Sequence, residues 1–140
     1  AINLSKDDPE TVADLPLDAP GSYRAWKVAG EYWQQTGKFP EAERDLRGAL
    51  ARWQRDPRIH EMLGQVLRRD GRCAEAIPIF IAGLPLDPER ASLRAKTVEC
   101  LIVVQNWSEA ERLAREGLAL GQSGFALSLE RIARAREAHP

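Results

Sequence analysis

Trp26-x-x-Ala29-Gly30-x-x-Trp33, followed by Gly37-Lys38-Phe39, Ala42, Leu46 and Ala49-Leu50, is the stretch that decides the fold, because it recurs. It returns 34 residues on as His60-x-x-Leu63-Gly64-x-x-Leu67, Gly71, Cys73, Ala76, Phe80, Gly83-Leu84 and Pro88. Another 34 residues bring Arg94-x-x-Thr97-Val98-x-x-Leu101, Gln105-Asn106-Trp107, Ala110, Ala114 and Gly117-Leu118. A fixed period in this range is the signature of stacked helical hairpins. The residue types explain why. Small residues at the crossing points (Gly30, Gly64, Ala42, Ala76, Ala110) let two helices approach closely. Large ones beside them (Trp26, Trp33, Leu63, Leu67, Phe80, Leu101) fill the remaining space at close-packed density. One hairpin cannot bury its own apolar face, so each copy must stack on the next.

The pattern resembles that of the tetratricopeptide repeat, Trp-x-x-Leu-Gly-x-x-Tyr with a later Ala and a closing Pro. The resemblance covers Tyr23 to about Gln122; the first copy is close and the second good. The third departs from it, with Arg94 and Thr97 in place of Trp and Leu and no closing proline. It implies an all-α solenoid of three hairpins over 23–56, 57–90 and 91–122. An acidic, proline-containing arm over 1–22 precedes them. The apolar stripe of Phe125, Leu129 and Ile132 predicts a capping helix over 123–140.

Helix signals place the elements within the copies. Helices are expected over about 22–35, 39–55, 57–70, 74–84, 89–104 and 108–121. Asp56-Pro57 and Asp87-Pro88 each pair a capping residue with a first-turn proline. Ser108-x-x-Glu111 reads as a capping box. Pro78 lies near enough to a helix start to cost only a slight bend.

Composition narrows the function by exclusion. With 140 residues the chain is one domain by length, and its formal net charge of −1 creates no field that draws nucleic acid. No apolar run approaches the ~20 residues of a membrane span, and the compartment is not legible. Two cysteines at unrelated spacing exclude a four-ligand zinc site and a CxxC redox motif. No nucleophile, phosphate-binding or metal motif occurs, so no cofactor, metal or catalytic residue is expected. His60 stands where the preceding copy has Trp26 and reads as a packing residue. Cys73 and Cys100 fall on helices expected to pack together. They read as two reduced apolar fillers, or as a pair within disulfide reach.

The resemblance places function on the concave face lined by the first helix of each copy. Carried over residue by residue, the family's groove positions fall on Arg24, Lys27 and Gln34, then Arg58, Gln65, Arg68 and Arg69, then Ile102, Val103 and Leu129. Glu31, Glu61 and Glu99 are interspersed among them. One end of such a groove is cationic and the other apolar. A carboxylate-clamp subtype is disfavoured, because Glu31 stands where the clamp uses Asn. The expected function is therefore a non-catalytic scaffold that binds a peptide or protein segment of acidic and apolar character. The acidic arm itself has that composition. The alternatives are a regulatory or assembly module of a larger enzyme, and a module that self-associates through a helix face.

Overall fold

The computed structural model describes residues 37–139, and these are helical throughout, with no strand among them. Helices Phe39–Arg52 (α1), Pro57–Arg69 (α2), Cys73–Gly83 (α3), Ala91–Val103 (α4), Trp107–Ala119 (α5) and Phe125–Ala138 (α6) follow in order. Each packs on its chain neighbour, and contacts that skip one helix join α2 to α4 and α4 to α6. Two layers result: α2, α4 and α6 lie side by side in one, and α1, α3 and α5 occupy the other.

The helix ends show how local chemistry sets the register. At the start of α2, Asp56 accepts a hydrogen bond from the Arg58 backbone N–H (2.9 Å), and Pro57 takes the first helical position. The amide that proline lacks there would have had no partner within the helix. The second Asp-Pro behaves differently. Asp87 and Arg90 close a turn (Arg90 N to Asp87 O, 3.1 Å), and α4 begins only at Ala91. The expected capping box at Ser108 is not how α5 starts. Asn106 is the cap, accepting from the Glu109 N–H at 3.5 Å, while Ser108 lies inside the first turn. A short Asx side chain placed before the helix reaches the free amides first. The helix expected to run on to residue 55 stops at Arg52, with Trp53 at its C-terminal boundary. Pro78 sits inside α3, which continues to Gly83 before tightening into a 3-10 turn over Leu84–Leu86.

The repeated small and large residues make the core. Ala42, Ala76 and Ala110 are fully buried, as are Leu46, Leu63, Leu67 and Phe80. Gly64 shows why size matters at the α2–α3 crossing: a Cβ there would lie 2.2 Å from the Phe80 ring. The same device closes the end of the stack, where a Cβ on Gly117 would meet Phe125 of α6 at 2.3 Å. His60 is packed, not exposed, against Gly83, and its Nδ1 has no hydrogen-bond partner. Burial lowers its pKa more than nearby Asp56 raises it. Arg94, in the position of a large apolar residue, is also buried. Its guanidinium donates to the Leu113 and Pro88 carbonyls (3.2 Å each) and to Glu116 (3.1 Å).

Candidate functional site

Among the described residues, the layer of α2, α4 and α6 carries a cluster of polar contacts between successive copies, while Arg72 at the start of α3 reaches Glu43 of α1 in the other layer. On α2, Glu61 is largely buried and accepts from three groups in the first half of α4 and just before it. They are Lys96 Nζ (2.6 Å), Arg90 Nε (2.7 Å) and Ser92 Oγ (2.9 Å). Burial raises the Glu61 pKa, but the hydrogen bonds from Lys96, Arg90 and Ser92 together outweigh that and hold it below its ordinary value. Two turns along, Arg68 Nη1 donates to Glu99 at 2.6 Å. These contacts span 29 to 35 residues of chain, about one repeat. They tie α2 to the N-terminal approach and body of α4.

Where α2 and α4 end, a cavity of about 360 Å³ opens, lined by Arg68, Gly71, Cys73, Glu99, Ile102, Val103 and Arg131. Val103 is 67% exposed and Ile102 half-buried, so the cavity offers an aliphatic wall. Arg68 and Glu99 form its polar side as an ion pair. Arg131 reaches it from α6 as an exposed guanidinium.

Of the positions singled out in the sequence, Arg24, Lys27 and Gln34 lie outside the described residues. Arg68, Ile102 and Val103 come together at the cavity. Arg58 is turned back on its own helix start, with Nε and Nη2 on the Asp56 carboxylate at 3.1 and 3.0 Å. Gln65 points its Oε1 into a buried position without a hydrogen bond. Arg69 lies over the Phe39 ring, 6.0 Å from its centroid, and so belongs to the α1 side. Leu129 lines a separate cleft between α5 and α6, with Glu111, Arg115 and Arg136. Among the described residues of the expected cationic end, Arg58 and Arg68 are thus paired with the chain's own carboxylates. Arg131 was missed. The 34-residue register puts it level with Leu63 and Thr97, which are inward positions. α6 instead buries Phe125 and Ile132, and Arg131 emerges beside them. The Phe125, Leu129, Ile132 stripe already carried that signal.

No group of three or more His, Cys, Asp or Glu side chains suited to a metal occurs among the described residues. No described helix is long and apolar enough to cross a membrane.

Two-layer helical hairpins, stacked at a constant sequence interval, define a superhelical repeat protein. The tetratricopeptide repeat family model matches residues 29–91, and over that stretch the chain is similar to tetratricopeptide repeats. Its backbone is similar to the TPR2B domain of yeast Sti1 in complex with pHsp70. The TM-score is 0.71 at 13% identity, covering 84% of this chain and 98% of that one. It is similar also to the first such domain of Spaghetti (RPAP3) bound to the HSP90 peptide SRMEEVD, with TM-score 0.72 at 16% identity, covering 82% and 95%. MamA from MSR-1 matches with TM-score 0.65 at 22% identity, covering 83% and 67%. At these identities the likeness concerns the fold. A comparison with curated proteins finds no match.

Proposed function

We propose that this chain is a non-catalytic scaffold whose α2–α4–α6 layer binds a peptide or protein segment of mixed acidic and apolar character. In this reading three hairpins over 23–56, 57–90 and 91–122 form the binding unit, covered at one end by 123–140. The observation that carries it is the cavity where Arg131, the Arg68–Glu99 pair and the Ile102–Val103 wall meet on three adjacent helices. A carboxylate placed there gains a charge-assisted hydrogen bond from a guanidinium already at the surface. A neighbouring aliphatic side chain covers Val103, whose exposure costs the free protein apolar hydration. Arg68 holds Glu99 and therefore orients the wall more than it supplies free charge. A structure of the same fold that holds SRMEEVD, with its paired glutamates next to Met and Val, lends the composition of the ligand support.

The test is a titration of labelled peptides that place Asp or Glu beside Leu or Val, against the wild type, Arg131→Glu and Val103→Asp. Either substitution should weaken binding by roughly tenfold, about 1.4 kcal/mol. Salt should weaken the wild-type complex, because exposed charges are screened over about 8–10 Å. Unchanged affinity in both variants would move binding away from this cavity.

A further inference from the structure

We infer that Cys73 and Cys100 form an oxidisable thiol pair, which a peroxide converts into a disulfide joining the start of α3 to α4. Both thiols are free and lie in one core cluster, on helices that pack against each other. The Cys73 side chain lies within hydrogen-bonding reach of Cys100, and Cys73 shares its cavity with Glu99, the residue before Cys100. The two differ in access. Cys100 is completely buried, whereas Cys73 is 8% exposed and lines the cavity beside Arg68 and Gly71. A void of about 360 Å³ easily admits a peroxide, a molecule little larger than water.

That asymmetry orders the chemistry. Burial, and then the neighbouring Cys73 thiol, push the Cys100 pKa well above its usual value, so Cys100 stays protonated. Cys73 meets the oxidant first: its sulfur attacks one peroxide oxygen, the O–O bond breaks, and a sulfenic acid and one water form. Cys100 sulfur then attacks the Cys73 sulfur. The S–O bond breaks, and hydroxide leaves with the Cys100 proton as a second water. Two thiols lose two electrons and two hydrogens, and one peroxide becomes two waters. The new bond joins successive copies of the repeat by linking one layer to the other, close to the Arg68–Glu99 pair.

The experiment treats the native chain with stoichiometric hydrogen peroxide and follows intact mass, free thiols after denaturation, and melting temperature. The wild type should lose two hydrogens in mass, retain no free thiol, and melt higher by roughly 5 °C, because a closed loop restricts the unfolded chain. Cys100→Ser should stop at a sulfenic acid trapped by a cyclic diketone, and Cys73→Ser should keep Cys100 reduced at the same dose. Two thiols remaining in the wild type, products that are only intermolecular dimers, or Cys100 oxidised equally fast in Cys73→Ser would each overturn the pairing. The mass of the wild type decides the matter even if a serine variant folds poorly.

Discussion

At the scale of single residues, the turn that precedes the second helix of each copy shows how a repeat tolerates drift. Gly37 and Gly71 have φ of +75° and +77°, and 34 residues later the same turn is made by Gln105 at φ +62°. Glycine enters the left-handed region without a penalty, whereas a Cβ there crowds the following carbonyl. The sequence register identified this position, but only the backbone reveals that Gln105 bears the strain. Its backbone N–H donates to the Ile102 carbonyl (3.0 Å) and its side chain is exposed, so a replacement loses little. Gln105→Gly is therefore expected to stabilise the chain by about 1 kcal/mol, offset in part by the extra freedom glycine gives the unfolded state. Urea denaturation measures it, and a lower midpoint would show that the side chain supplies a contact that outweighs the strain.

Between elements, Glu61 is the principal polar bridge from α2 to α4. The resemblance to the repeat family put Glu61 and Arg68 on the groove face. It did not disclose that the donors to Glu61 and the acceptor for Arg68 sit about one repeat away. Those partners depend on how two helices are offset, a property of packing and not of local pattern. This is why Arg68 read as a free groove cation although it already holds Glu99. The Glu61 pKa is held below its ordinary 4.5 in the fold. A depressed folded value means that the ionised form contributes stability above the unfolded value, lost as pH falls through the folded one. Glu61→Gln keeps the volume but leaves one acceptor oxygen for three donors. It should cost about 1–3 kcal/mol at neutral pH, with the gap from wild type closing as pH falls below 4.5. Denaturation midpoints at neutral pH and near pH 3.5 decide it, and an equal gap at both would assign the loss to shape instead of charge.

Across the whole molecule, stability is arranged in one dimension, and that arrangement was the most legible property of the sequence. Period, hairpin and covering helix all follow from recurring apolar positions and from the inability of one hairpin to bury its own face. The rotation of α6 was less legible, because its stripe does not keep the register of the earlier copies. It buries Phe125 and Ile132 and leaves Leu127 67% exposed. Phe125 seats its ring where Gly117 leaves room on α5, and among the described helices α6 otherwise touches chiefly α4, much less extensively. Removing that ring should therefore act locally. Phe125→Ala is expected to cost about 3–5 kcal/mol, from lost burial and an unfilled cavity at the α5–α6 contact. In a stack whose units touch chiefly their neighbours, that loss loosens the end before the middle. Hydrogen exchange followed along the chain should show amides of α5 and α6 losing protection first, while those of α2 and α3 keep most of theirs. A uniform loss from α1 to α6 would mean that the stack opens only as a single cooperative unit, with α6 supporting every hairpin equally.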